Sequence, residues 1–113
     1  MKFKSLLIVF ALFSFSTHAA ELSWIAPDTR VDGSTLPISE IGGYKIYSGR
    51  TAESLTLLID IADPNTNAYS DGQPAGTYYA VTAYNVYGAE SDYSAIKQFI
   101  PKAPSPPVLS VVQ

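Results

Sequence analysis

The 113-residue chain contains no cysteine and only one methionine, one histidine and one tryptophan. Without cysteine there is no disulfide framework, no thiolate nucleophile and no thiolate metal ligand. The single histidine, His18, lies at the end of an apolar N-terminal segment, so the rest of the chain has no imidazole base or ligand. Cations are scarce: seven Lys and Arg stand against ten Asp and Glu, for a formal charge of −3. Binding to nucleic acid or to anionic lipid needs clustered Lys and Arg, and no such cluster is present. No apolar run reaches the ~20 residues of a membrane span, so stable membrane insertion is not expected. Helical periodicity is also missing after Ala20. Most catalytic and metal chemistries are therefore excluded before any motif is considered.

The first segment reads as a targeting signal. Lys2 and Lys4 precede an apolar run at residues 6–15, LLIVFALFSF, of the length expected for a signal-peptide core. Thr17 and Ala19 place small side chains at both positions a signal peptidase reads, predicting a leader over residues 1–19. Its removal takes away Met1, His18 and four of the five phenylalanines, leaving five cations against ten carboxylates. The expected location is periplasmic or secreted. Neither a lipid-anchoring cysteine after the run nor an N-x-[ST] acceptor is present.

Six short strands follow, separated by turn signals. They are expected near residues 22–25, 41–48, 55–61, 67–71 and 77–84, with a last one inside 93–100. Residues 28–40 (rich in Asp, Gly, Ser, Thr and Pro) read as a long loop, and residues 85–90, centred on Gly88, as a hairpin connection. Period-two alternation places Tyr44 and Ile46 on one face, Lys45 and Tyr47 on the other. In the strongest strand Tyr79, Val81 and Ala83 oppose Tyr78, Ala80, Thr82 and Tyr84. Trp24, Tyr44, Ile46, Leu57, Tyr79 and Val81 are the predicted core. The spacing fits an all-β sandwich with one domain over residues 20–100. Residues 101–113 form a Pro-rich tail whose last part, VLSVVQ, is again strand-like.

This pattern resembles the fibronectin type III module, an immunoglobulin-like β-sandwich, in the form found in exported bacterial proteins. LSWIAP with Trp24, GGYKIYSG, and GTYYAVTAYN with YGAESDYS carry the resemblance, in that order. It implies that Trp24 lies between two sheets and that a corner tyrosine, Tyr78 or Tyr79, ties its hydroxyl to the preceding loop. Three departures stand out. Gly72 replaces the leucine usual before the fifth strand, the last hairpin NVYGAES lacks an Arg-Gly-Asp motif, and almost nothing precedes Leu22 to form the module's first strand. The first strand is therefore expected to be reduced or missing. Residues 106–111 are either a linker remnant or a strand that fills the vacant edge, in trans on a neighbouring molecule.

The carboxylates, Asp60 and Glu90 among them, lie mainly in loops and turns and read as solvated surface acids, with no paired-acid cleft. Asp28 and Asp32-Gly33 lack EF-hand spacing, so no metal and no cofactor is expected. The notable excess is eight tyrosines. Tyr47, Tyr78 and Tyr84, with Lys45, are expected on an outer sheet face, and Tyr87 at a hairpin tip. These five residues are the candidate binding surface, for a protein or a carbohydrate; the alternative is that the sheet tyrosines are cross-strand pairs. The expected function is a non-catalytic binding module. The runner-up is a structural spacer or a self-associating element acting through the C-terminal segment.

Overall fold

Two long strands form the spine of the molecule, one carrying two Ile and two Tyr and the other three Tyr with Val and Thr, residues that favour strands. The computed structural model describes residues 19–112; the expected leader therefore lies outside the described residues except for Ala19. In chain order the strands are β1 Ala20–Ser23, β2 Ile41–Gly49, β3 Thr56–Ile61, β4 Ala68–Asp71, β5 Tyr78–Asn85 and β6 Lys97–Gln98. They build two antiparallel sheets, one ordered β1-β4 and the other β3-β2-β5-β6. The only helical element is a single 3-10 turn at Ile38–Glu40, among the described residues. No helix among them is long and apolar enough to cross a membrane.

The sheets meet through the faces that alternation made apolar. Ala20, Ile46 and Tyr79 are buried at the centre, with Leu22, Trp24, Leu58, Ile59, Ile61, Tyr69, Val81 and Phe99 packed around them. Ile46 sits opposite Ile59 on one side and Val81 on the other. Trp24 covers the ring of Tyr44 at a centroid distance of 5.4 Å, tilted by 55°. Polar ends of core tyrosines are satisfied at the rim, as burial requires. Tyr44 Oη donates to the Pro64 carbonyl at 2.9 Å, and Tyr79 Oη donates to Asp71 Oδ2 at 2.7 Å. That second bond clips β5 to β4 across the two sheets. Burial, then the hydrogen bond to Asp71, pushes the Tyr79 hydroxyl pKa well above its ordinary value.

Leu57 corrects the expected core. It is 52% exposed. The register runs Ile46 to Ile59 and then Tyr47 to Leu57, so Leu58 is one extra residue in β3. A bulge of this kind shifts the alternation by one position. Leu57 therefore shares the outward face with Tyr47, and Leu58 takes the inward place. The periodic pattern itself could not reveal this.

Turn chemistry explains the connections. Asp63 accepts from the Asn65 amide at 2.9 Å and from the Thr66 hydroxyl at 3.1 Å, closing the β3–β4 corner. Gly43 lies opposite Tyr84, and a Cβ there would run into the Ile61 carbonyl and the Tyr84 ring. The glycine is what lets that ring lie flat across β2.

After the last turn the chain follows the edge of β5 in an irregular way. Ser91 and Ser94 amides donate to the Ala83 and Val81 carbonyls, while their own Oγ atoms accept from the Ala83 and Val81 amides at 3.0 Å. Side-chain oxygens thus replace ladder carbonyls, and only Lys97 and Gln98 pair as a regular strand. The expected strand in the tail does not form within this chain. Residues 99–112 carry no strand, and Val108, Leu109, Val111 and Val112 are 94, 88, 80 and 92% exposed.

Candidate functional site

The outward face of β2 and β5 gathers Lys45, Tyr47, Thr82 and Tyr84, because these positions share one alternation parity. The Tyr84–Glu90 bridge brings Glu90 onto the same face. Glu90 Oε2 accepts from Tyr47 Oη at 2.5 Å and from Thr82 Oγ1 at 2.6 Å. Lys45 Nζ stands 3.7 Å from the other carboxylate oxygen and 5.5 Å from the Tyr84 ring centroid. Tyr84 Oη donates to Asp60 Oδ1 at 2.6 Å, and Asp60 lies opposite Lys45 in the β2–β3 register. The Tyr47 and Tyr93 rings meet at 5.0 Å. Thr82 and Ala80, although outward in parity, are only 3% exposed each. This face is roofed by its own side chains.

The network sets the ionisation of its members. Hydrogen bonds from Thr82 and then Tyr47, with the Lys45 charge, hold the Glu90 carboxyl below its ordinary range. Its bond to Glu90 pushes the Tyr47 hydroxyl up to about 12 from 10.0. Asp60 likewise raises the Tyr84 hydroxyl. A raised tyrosine stabilises the fold fully below pH 10.0, and that contribution is lost as pH rises through about 12. Glu90 acts in the opposite sense, its contribution vanishing as pH falls through its depressed value. Glu90→Gln removes the acceptor charge, so one tyrosine should titrate closer to 10.0 than to about 12. Tyrosinate absorbance during an alkaline titration reads this directly. An unchanged titration curve would show that Glu90 does not control Tyr47.

A second arrangement occupies one end of the molecule. Within the 28–40 loop, Thr29 bridges Thr35, and the Arg30 amide donates to the Ser34 carbonyl at 2.8 Å. Gly33 turns the chain with φ of 87°, a conformation that favours glycine. Asp32 accepts from the Ser34 amide at 2.9 Å and hydroxyl at 2.6 Å, which lowers its pKa below 3.8. The Arg30 guanidinium bonds Ser34 Oγ at 3.1 Å, the Thr35 carbonyl and the Glu40 carboxylate. The loop is therefore a braced hairpin.

The β5 turn beside it is equally constrained. Asn85 Oδ1 accepts from the amides of Tyr87 and Ala89 at 3.0 and 2.9 Å, and Gly88 has φ of 92°. The Val86 amide donates to the Glu40 carbonyl at 2.9 Å, joining the two hairpins. Between them lies an open cleft of about 310 Å³, lined by Arg30, Val31, Leu36, Ile41, Tyr84 and Asn85 among others. Val31 is fully exposed, Val86 is 54% exposed and Tyr87 85%. Large apolar side chains thus stand in water on backbone that hydrogen bonds hold still.

The structure brings Lys45, Tyr47 and Tyr84 together, while Tyr78 lies at the far end of β5 opposite Gly49 and Gln98, half-buried. Tyr87 is separate, at the turn. Asp60 and Glu90, read as solvated acids, are instead the acceptors that fix the tyrosines. Asp60 was not within reach of sequence reasoning, since its place opposite Lys45 depends on the β2–β3 register. Nor were Val31, Val86 and the Arg30–Glu40 brace, because loop geometry leaves no periodic trace. Among the described residues no three His, Cys, Asp or Glu side chains converge as a metal site. Comparison with known proteins finds no family model, no curated protein and no solved structure that matches this chain.

Proposed function

We propose that this chain is an exported, non-catalytic interaction module of fibronectin type III kind, which holds a protein partner with its braced loop end. The observation that carries this reading is the exposure of Val31, Val86 and Tyr87 on two cross-linked hairpins around one cleft. Apolar groups presented on a rigid frame lose little entropy on binding, which favours recognition. The leader expected at residues 1–19 supports export, and the strand order β3-β2-β5-β6 facing β1-β4 supports the family. A protein partner fits better than a carbohydrate. The hydroxyls of Tyr47 and Tyr84 are spent on carboxylates of the same chain, so the sheet face offers few free polar ends to a sugar.

The test compares the exported chain with a Val31→Ser, Val86→Ser, Tyr87→Ser triple variant. All three side chains are exposed, so the melting temperature should stay within a few degrees. Capture of partners from the extracytoplasmic fraction should fall by about tenfold or more, the loss expected when apolar anchors are removed. If capture persists in the triple variant but vanishes when Tyr47 and Tyr84 are replaced, the sheet face is the site instead.

A further inference from the structure

The β1 side of the two-stranded β1–β4 sheet is open among the described residues. β1 pairs with β4 alone among the described residues. The Trp24 amide donates to the Asn67 carbonyl, which fixes the parity of β1. Leu22 and Ala20 therefore direct their backbone groups toward β4, while those of Glu21 and Ser23 point to the open side. Such an edge is a template for another strand. β1 is only four residues long, but it contains no lysine and no proline, and the carboxylate of Glu21, its one charged residue, accepts a bond from Ser70. Under the open side lies a cleft of about 240 Å³ reaching Leu22, Trp24, Ile46, Tyr79 and Val81. The interior of the sandwich is thus accessible along the line where a further strand would lie.

The same chain carries an unpaired strand-forming segment. Residues 108–112, VLSVV, are exposed, make no backbone hydrogen bond within the described residues, and follow the proline-rich stretch 101–107. Alternation puts Leu109 and Val111 on one face and Val108, Ser110 and Val112 on the other. Leu109 and Val111 match the apolar cleft; Ser110 then faces solvent beside Ser23, which is also exposed.

We propose that residues 108–112 of one copy pair with the open edge of β1 in a second copy, completing its two-stranded sheet. Geometry favours the second copy over the chain's own tail. The tail leaves the sandwich at Phe99, which bonds Gly76 and Thr77. That is the end marked by Asp71, the partner of both Ala20 and the Tyr79 hydroxyl. A tail folding back from there would run parallel to β1, the weaker pairing, and would have to reverse a stiff polyproline-type segment at its root. A neighbouring molecule can enter antiparallel, with its linker extended. This inference concerns a different surface from the loop end and does not depend on it.

The absence of cysteine makes the test simple. A Ser23→Cys chain is mixed with a Ser110→Cys chain under mild oxidation, in full-length exported protein. Neighbouring antiparallel strands bring such side chains within disulfide reach, with Cβ atoms about 4.5–5.5 Å apart for directly opposite residues. Because a slip in register would move the partner, Glu21→Cys is tried in the same way. The Ser23 or Glu21 variant should link to the Ser110 variant at least about tenfold faster than a Thr51→Cys control does, since pairing raises the local thiol concentration. Leu109→Asp with Val111→Asp should abolish that excess and reduce the mass seen by light scattering to that of a monomer. Either a closed dimer or a growing ladder of species agrees with the proposal. Linking no faster than the control, or association that survives the double aspartate variant, overturns it.

Discussion

Ile46→Ala should destabilise the fold by about 2–5 kcal/mol, whereas Leu57→Ala should cost less than about 1 kcal/mol. Both residues belong to apolar alternating runs, and both have γ-branched or β-branched side chains of equal size. What separates them is the bulge in β3. Ile46 is fully buried between Ile59 and Val81, while Leu57 is half exposed on the opposite face. A small domain commonly has about 5–15 kcal/mol in total, so the first substitution should bring a large fall in the urea midpoint. Leu58→Ala should resemble Ile46 in direction, because Leu58 packs against the core. Equal losses at Ile46 and Leu57 would mean that β3 pairs without the bulge.

Trp24→Ala should cost about 3–5 kcal/mol, since it removes the largest side chain bridging the two sheets. Trp24→Phe is the more informative change. The indole Nε1 is buried with no hydrogen-bond partner among the described residues, and leaving such a group unpaired costs about 1–3 kcal/mol. Phenylalanine removes that N–H and keeps a ring over Tyr44. The loss in Trp24→Phe should therefore be about 1 kcal/mol or less, the lost area being offset by the removed polar group. Thermal or urea unfolding of the three proteins distinguishes the cases. A phenylalanine variant as unstable as the alanine variant would show that the indole N–H is doing something that the packing does not explain.

The contrast between those two substitutions shows how far local pattern carries. Alternation placed Tyr44, Ile46, Tyr79 and Val81 against the core, because side-chain direction in a strand repeats every two residues. It failed at Leu57, where one inserted residue reversed the parity and left the amino-acid sequence looking regular. The same holds for the tyrosines. That Lys45, Tyr47 and Tyr84 share a face was legible in the sequence; that Glu90 and Asp60 bind their hydroxyls was not. Those contacts span 43 and 24 residues, and a carboxylate in a turn looks the same whether it meets water or a phenol.

Composition and spacing by themselves determined an all-β chain without cysteine and without histidine after residue 18, with short strands, marked turns and a proline-rich end. These are properties of single residues and their near neighbours, which the backbone expresses locally. Only the tertiary structure decided the β3 bulge, the carboxylate partners of the sheet tyrosines, and the bracing of the 28–40 and 85–90 loops against each other. Each of these depends on which distant segments lie side by side. Pairing energy is shared between partners far apart in the chain, so neither partner's sequence records it alone.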